Sequence, residues 1–346
     1  MLERLQEQVR AATASRSPLA IRAGGSKDFY GNETRGERLD PRGYAGIVAH
    51  EPTELVITAR CGTPLAELEA ALDAAGQMLP FEPPHFGPAA TVGGCVAAGL
   101  AGPRRSSAGG VRDYVLGAKL LTGTGEVLSF GGTVMKNVAG YDVARLAAGS
   151  LGVLGVITEV SLKVLPKPVA EATLRLELDE RAALTKMNEW AGRPLPVSAT
   201  AWRDGALHVR LSGARAAVAE AQQTIGGQLV DGSALWLSLR EQTDAFFAGE
   251  APLWRLALPS TAESIDLPGA QLIEWGGAQR WLRSDAPAGG IRACAAARGG
   301  HATLFRGGAR RDVFTPLPAP LAAIHGRLKA EFDPAGIFNP GRMYDW

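Results

Sequence analysis

Three glycines at three-residue spacing lead into an apolar run that alternates like a β-strand. Gly149, Gly152 and Gly155 open the segment, and the run continues from Val153 to Leu165. Glycine adopts positive φ without steric cost and lets backbone approach a neighbour closely. Glycine alone would predict a flexible linker, whereas a strand behind it supplies a rigid edge. We therefore predict a rigid loop along which a large ligand lies against main chain.

The composition is that of a soluble globular protein, with 46% apolar and 21% charged residues over 346 positions. This length predicts two domains, or one large one, with ample sequence for a buried core. Thirty-six basic and 35 acidic residues leave a net charge of +1. That balance gives no general reason to expect nucleic acid or an anionic membrane as partner.

The cysteines indicate a reducing compartment. Cys61, Cys95 and Cys294 include no CxxC pair, so neither a disulfide framework nor a metal site is expected. The first 18 residues form a charged amphipathic pattern without the apolar core of a secretory signal. The long uncharged stretch 86–103 is rich in Gly, Ala and Pro, which favours a buried loop over a membrane span. We expect a cytoplasmic location.

Turn and breaker residues divide the chain. Pro166 and Pro168 end the long strand and mark the predicted boundary between a first domain, 1–168, and a second, 169–330. Residues 331–346 form a tail expected to return to the first domain. In the first domain we predict a helix over 65–75, with Thr63 as N-cap and Pro64 in the first position.

Paired turn residues predict hairpins in both parts of the chain. One turns on Thr124-Gly125, a second on Asp204-Gly205 and a third on Gly276-Gly277. The second domain adds four predicted helices, over 180–192, 214–225, 292–298 and 321–332. Helices interspersed with hairpins predict an α+β fold with an antiparallel sheet.

Two glycine-rich segments are candidate phosphate-binding loops. In 21–27, IRAGGSK, a strand runs into paired glycines whose successive N–H groups can form a nest for phosphate oxygens. In 87–110, Thr91 can cap a short helix from Val92, whose first N–H groups would face an anion. Ordinary tight turns are the alternative for both. Neither a Walker loop nor a Rossmann fingerprint occurs.

The tail carries specific turn chemistry. Asp333-Pro334 and Asn339-Pro340-Gly341 flank Ile337 and Phe338. A solvent-exposed tail would not require such turns, so we expect this end to be docked.

The order of these segments resembles the flavoprotein family whose FAD domain is named after p-cresol methylhydroxylase and vanillyl-alcohol oxidase. The resemblance rests on RAGGSK, EPTELVITARCGTPLAELEAAL, GPAATVGGCVAAG, GGVRDYVLG, GYDVARLAAGSLGVLGVITEV and FDPAGIFNPG. It covers roughly the first 168 residues and the last 15. It implies FAD held between two α+β subdomains, with a further α+β cap domain.

The resemblance also implies a set of cofactor-binding residues. The pyrophosphate would lie on the RAGGSK loop and on 88–94, and main chain of Val156 and Ile157 would contact the adenine. Arg112 and Asp113 would line the flavin, and Asn339 and Arg342 would approach the isoalloxazine edge. The full implied set is Ala23, Gly24, Gly25, Ser26, Lys27, Pro88, Ala89, Thr91, Val92, Gly93, Gly94, Gly110, Arg112, Asp113, Gly149, Ser150, Gly152, Gly155, Val156, Ile157 and Asn339.

Two departures from the family pattern affect the chemistry. Ser26 stands where members that attach FAD covalently often carry histidine, so we expect non-covalent FAD. The HGDGNxH-like motif of the catalytic relatives is missing. The histidines are scattered along the chain without HxH or HxxxH spacing: His50, His85, His208, His301 and His325.

No catalytic residue is therefore assigned, because oxidation of a 2-hydroxy acid needs two such groups close together. Only His85 lies beside a predicted flavin loop. Lys136, Tyr141 and Asp142 are further candidate flavin neighbours, with ordinary loop or packing roles as the alternative.

Length and the KNVAGYD segment resemble subunits of bacterial glycolate oxidase. This implies an FAD-binding subunit of a complex that converts glycolate to glyoxylate, in which this flavin relays electrons or is structural. The implied partners are a catalytic flavin subunit and an iron–sulfur subunit, and any membrane association would be peripheral. A self-sufficient 2-hydroxy-acid dehydrogenase using His85 and Arg112 is one alternative, and a flavin-free assembly scaffold is another.

Overall fold

The computed structural model describes residues 1–133 and 142–345. Lys136 and Tyr141 lie outside these ranges. The helices are α1 (Leu2–Ser15), α2 (Leu65–Ala74), α3 (Val92–Ala98), α4 (Arg105–Ala108), α5 (Val111–Tyr114), α6 (Val143–Leu146), α7 (Glu180–Ala191), α8 (Arg215–Ile225), α9 (Ser233–Glu241), α10 (Ala288–Ala297) and α11 (Ala319–Phe332).

The strands follow the same chain order. They are β1 (Leu19–Ile21), β2 (Glu37–Leu39), β3 (Ile47–Glu51), β4 (Val56–Arg60), β5 (Gln77–Met78), β6 (Val115–Leu121), β7 (Val127–Gly131), β8 (Val156–Lys163), β9 (Leu165–Pro166), β10 (Ala170–Glu177), β11 (Val197–Arg203), β12 (Ala206–Gly213), β13 (Gln228–Val230), β14 (Leu253–Ala257), β15 (Ala270–Glu274), β16 (Gln279–Arg283) and β17 (His301–Arg306).

Five strands form what we call the small sheet, in the order β3-β4-β8-β6-β7. Every neighbouring pair is antiparallel. Helix α2 buries Leu65, Leu68 and Leu72 against this sheet, at the spacing that places side chains on one helix face. Truncating one of these leucines to alanine would cost about 2–5 kcal/mol.

Eight strands form what we call the large sheet, in the order β13-β10-β12-β11-β15-β16-β14-β17. It is antiparallel throughout the described residues. Helices α7 and α8 cover one part of it and α10 another, over two apolar clusters. We call the parts of the chain packed on the two sheets the small-sheet half and the large-sheet half. A third apolar cluster joins them through Tyr30, Trp281 and Phe305. The fold is α+β, as predicted.

The C-terminal tail is docked rather than free. Phe338 forms a bridge with Leu19, and Ile337 and Phe338 are buried beside α1. The buried Lys329 ammonium donates to Asp333 Oδ2 at 2.6 Å and to the carbonyls of Val153 and Phe338. A buried charge is tolerable only when it is paired and hydrogen-bonded in this way. The tail therefore closes the fold through specific polar contacts.

Several sequence-based expectations need correction. Thr63 does not cap α2: Pro64 is the N-cap, and the Thr63 hydroxyl bonds to Gly46 instead. Regular pairing begins at Val156 and not Val153, since the chain turns at Gly155, where φ is +153°. Helix α9 and strands β14 and β17 were not predicted. The proposed division at residue 168 stays a prediction.

Candidate functional site

A cavity of about 280 Å³ lies where the RAGGSK loop, α3 and the C-terminal tail meet. Its size is near the lower end of the range of ligand pockets, roughly 300–1,000 Å³. Residues 20–28 line it, together with small residues of the segment 89–98 and Leu151. Gly24 and Gly25 in this lining have no side chain to cover their main chain, which suits a ligand that is bound by N–H groups.

The RAGGSK loop crosses the 87–94 segment in direct backbone contact. A Cβ added at Gly24 would lie only 1.5 Å from the carbonyl oxygen of Ala89. Gly25 has a φ of +73°, which favours glycine for conformational reasons. Thr91 caps α3 as predicted, since its Oγ1 accepts from the Gly94 N–H at 3.2 Å. Gly24 is therefore required by the crossing, and Gly25 by its own backbone conformation.

Three cations line the cavity without a carboxylate in ion-pair range among the described residues: Lys27, Arg310 and Arg342. Arg342 donates instead to main-chain carbonyls, among them those of Lys27, Asp28 and Asn32. Burial, followed by the neighbouring Arg310 charge, lowers the pKa of Arg342 to about 10, so it stays protonated at neutral pH. Asp28 and Glu33 are the carboxylates in the lining, so four cations leave it a net positive charge, which favours an anionic ligand.

At the three glycines before β8, the close contacts are with the chain's own backbone and C-terminal tail. A Cβ at Gly152 would lie 2.8 Å from Asn339 Nδ2, and one at Gly155 would lie 2.7 Å from the Leu121 carbonyl oxygen. A Cβ at Gly149 would meet open space. Asn339 completes this junction, because its amide accepts from the Ile21 N–H and donates to the Leu151 carbonyl, both at 2.7 Å.

The structure brings part of the predicted set together around the cavity. These lining residues are Ala23, Gly24, Gly25, Ser26, Lys27, Ala89, Thr91, Gly94 and Asn339. Arg342, which was expected near the flavin edge, lines it too.

The remaining predicted residues lie outside the lining. They are Pro88, Val92, Gly93, Gly110, Arg112, Asp113, Gly149, Ser150, Gly152, Gly155, Val156 and Ile157. Asp113 Oδ2 accepts from the Gly110 N–H at 2.8 Å, which fixes the start of α5. Arg112 is exposed on that helix. Val156 and Ile157 are paired with β6 inside the small sheet. Their proposed contacts with a cofactor stay predictions.

Some lining residues were missed by sequence reasoning. Arg22 and Asp28 form an ion pair of 2.5 Å at the cavity edge, and Leu151 supplies part of its wall. Arg310 comes from a loop after β17, far away in the chain. Nothing in its charged surroundings, RGGARRD, distinguishes it from a solvent-exposed loop. Only the folded structure places it here.

The titratable groups that sequence analysis considered have other partners. His85 Nε2 lies 2.8 Å from Glu69 Oε2. Burial raises the pKa of the Cys61 and Cys95 thiols to about 12, so neither is a thiolate at neutral pH. No group of three His, Cys, Asp or Glu residues within 1–133 and 142–345 is arranged to hold a metal ion. No helix in these ranges combines the length and apolar character needed to cross a membrane.

These features fit FAD. Its pyrophosphate requires backbone N–H donors and positive charge, which the RAGGSK loop and the three cations supply. A family profile described as an FAD binding domain matches residues 2–145. The chain is thus an FAD-binding flavoprotein of the oxidoreductase class.

Sequence similarity to known proteins narrows this class to one family. The chain is 53% identical over 340 residues to glycolate oxidase subunit GlcE of Escherichia coli K12, covering 98% of this chain and 96% of that protein. This chain belongs to the GlcE family. Glycolate oxidase subunit GlcD of Bacillus subtilis is 34% identical over 128 residues, 37% of this chain and 27% of that protein. A D-lactate dehydrogenase of Anaerostipes hadrus is 38% identical over the same length, covering 26% of that enzyme.

Solved structures agree on the fold. Two structures of alkyldihydroxyacetonephosphate synthase superpose with TM-scores of 0.66 and 0.68 over 98% of this chain, covering 74% and 75% of theirs. Their sequence identity to this chain is 15%. The likeness therefore concerns the fold alone.

Proposed function

We propose that this chain is the FAD-carrying subunit of a cytoplasmic glycolate-oxidising complex, and that its flavin relays electrons rather than oxidising glycolate itself. The relative of nearly equal length is named as a glycolate oxidase subunit, which supports the substrate and the complex. A catalytic flavin subunit and an iron–sulfur subunit are the partners. FAD is held non-covalently, because Ser26 offers no imidazole for attachment.

The space between the small-sheet and large-sheet halves, which we call the seam, is filled by side chains beside the cofactor cavity. This filling is the observation that supports an electron-relay role. Phe86 borders a second cavity, between the two halves, of only about 20 Å³. That volume has room for about one water. The Lys27 ammonium, which borders the cofactor cavity, lies 5.5 Å from the centroid of the Phe86 ring. The part of the seam beside Phe86 therefore offers little room for a hydroxy acid.

Aromatic rings fill this seam. Phe305 packs against Phe29 and Trp281, with ring centroids 5.4 and 4.8 Å away, and Phe29 packs against Phe86 at 5.4 Å. The Arg306 guanidinium covers Phe29 at 4.1 Å. Such edge-to-face packing adds about 0.5–1.5 kcal/mol per pair beyond burial. Opening a substrate pocket here would sacrifice several of these contacts.

The chain's own groups bind and shield the cofactor. FAD, when bound, supplies the electron transfer itself. Lys27, Arg310 and Arg342 would neutralise phosphate charge, and Gly24 and Gly25 would bring N–H donors close to it. Asn339 ties the tail to the cavity wall, and Leu151 excludes water from one side. None of these groups is placed to remove a proton from a carbon atom.

Anaerobic addition of glycolate to the purified, FAD-loaded chain tests the proposal. We expect the visible flavin absorbance to persist, and to bleach only when the catalytic flavin subunit is added. Rapid bleaching of the isolated chain would instead establish a self-sufficient dehydrogenase. A protein that is colourless and takes up no FAD would establish the scaffold alternative.

Acid precipitation tests the attachment in the same preparation. Non-covalent FAD leaves a yellow supernatant, whereas a yellow pellet would contradict non-covalent binding.

A further inference from the structure

Glu241 connects the large-sheet half to the loop 82–87 beside the cofactor cavity. It is the last residue of α9, the helix end that disfavours negative charge. Its Oε2 accepts from the main-chain N–H groups of His85 at 3.0 Å and Phe86 at 2.9 Å. Its Oε1 accepts from Arg240 Nε at 2.8 Å. These three donors stabilise a carboxylate where the helix dipole alone would oppose it.

The loop that Glu241 holds is strained. Glu82 and Phe86 have φ values of +46° and +53°, which residues other than glycine rarely adopt. Such conformations are unfavourable and persist only when the surroundings impose them. From the small-sheet half, Glu69 holds the His85 ring. The Glu241 carboxylate holds the adjacent backbone from the other side.

The carbonyl of the same residue, His85, orients Lys27. Lys27 Nζ donates to this carbonyl oxygen at 3.2 Å and to Ser26 Oγ at 3.4 Å, and it lines the cofactor cavity. Burial lowers the pKa of Lys27, and the negative charge of the Glu241 carboxylate acts against that shift. Because the Phe86 N–H and the His85 C=O belong to one planar peptide unit, the carboxylate that fixes this N–H also fixes the direction of the C=O.

We propose that Glu241 is a positioning residue for FAD: it fixes the His85–Phe86 backbone so that the Lys27 ammonium is held at the cofactor cavity. The large-sheet half thus contributes to FAD affinity through a residue that does not line the cavity. This inference rests on the FAD site proposed above and is independent of the electron-relay role.

Titration of the full-length apoprotein with FAD tests the inference. Glu241→Gln keeps the size and one acceptor oxygen but removes the charge. Hydrogen bonds to charged groups predict FAD binding weakened by about tenfold. The circular dichroism of the bound flavin should change as well, because movement of the ammonium at the phosphates shifts the cofactor in its site. Glu220→Gln, an exposed glutamate on α8, is the matched control and should leave both readouts unchanged.

A double-mutant cycle separates positioning from general stability. Lys27→Met alone should weaken FAD binding, and adding Glu241→Gln to it should change the affinity by less than about twofold. A purely structural Glu241 would lower the affinity equally in both backgrounds, which would overturn the inference. So would a Glu241→Gln protein whose FAD affinity and flavin dichroism equal those of the wild type. If the wild-type chain itself bound no FAD, the cofactor site would fail together with this inference.

Discussion

The edge of the cofactor cavity and the seam under the large sheet are both rich in arginine, but their arginines are partnered differently. In the seam, Arg210 pairs with Glu82 at 2.8 Å, and Arg104 pairs with Glu171 at 2.6 Å. At the cavity edge, Arg310 and Arg342 donate to main-chain carbonyls, without a carboxylate in ion-pair range among the described residues. Carboxylates therefore neutralise Arg210 and Arg104, whereas no carboxylate in the described part of the chain pairs with Arg310 or Arg342.

The difference separates a structural ion network from a binding site. A cavity of about 350 Å³ adjoins the seam and is larger than the cofactor cavity, yet its lining residues Glu82 and Arg210 already neutralise each other. Size alone therefore does not identify a site for an anionic cofactor. Cations without a carboxylate partner in the described ranges, together with the paired glycines, favour the cavity proposed above.

The largest expected effect is at the backbone crossing. Gly24→Ala would place a methyl group 1.5 Å from the Ala89 carbonyl oxygen, so the RAGGSK loop must move. We expect complete loss of FAD binding, with destabilisation above about 4 kcal/mol if the loop cannot relax. Absorbance of the purified protein and urea unfolding measure both effects.

A matched glycine substitution controls for this prediction. Gly289 lies in α10 with no atom within 4 Å of an added Cβ, so Gly289→Ala should bind FAD normally and change stability by less than about 1 kcal/mol. Normal FAD binding by Gly24→Ala would show that the crossing does not hold the cofactor loop.

The two classes of arginine should respond to the same substitution in opposite ways. Arg210→Met leaves Glu82 with one cation fewer in the seam and should cost about 3–5 kcal/mol of stability, with FAD affinity little changed. Arg310→Met should weaken FAD binding by about tenfold with little loss of stability. Unfolding curves and FAD titrations of both variants measure the contrast. Equal effects of both variants on FAD affinity would remove the distinction between seam and cavity edge.

A smaller effect is expected at Glu274, a buried seam carboxyl that accepts from Trp281 and Gln279 but pairs with no cation among the described residues. Burial raises its pKa from 4.5 to about 7. As the pH rises from about 4.5 to about 7, the unfolded chain ionises first, so the wild type loses stability across that window. Glu274→Gln should lack this loss and be about 2–3 kcal/mol more stable at pH 8.

Urea unfolding at pH 5 and pH 8 measures the difference between Glu274→Gln and the wild type. Glu220→Gln serves as the exposed control and should follow the wild type at both values. An identical pH dependence of Glu274→Gln and the wild type would show that ionisation of Glu274 does not cause the loss of stability.

Local chemistry predicted those parts of the fold that depend on neighbouring residues. The hairpins at Thr124-Gly125 and Asp204-Gly205 form as expected, and Thr91 caps α3. Helix α9 was not predicted, although the turn residues Asp231-Gly232-Ser233 precede it. Threonine is a suitable residue type for an N-cap, but the Thr63 hydroxyl donates to the Gly46 carbonyl, a tertiary contact, and does not cap the helix.

What the sequence determined by itself is the α+β class, because turn residues and hydrophobic patterns act over short stretches of chain, and its resemblance to a flavoprotein family implied FAD. The glycines before β8 were expected to face a ligand. The structure shows that Gly152 and Gly155 instead make room for Asn339 and for the Leu121 carbonyl. Only the tertiary structure decided which charges meet at the cavity and which rings fill the seam. Arg310 and Glu241 reach the cofactor region from distant segments, and no local pattern encodes such an encounter.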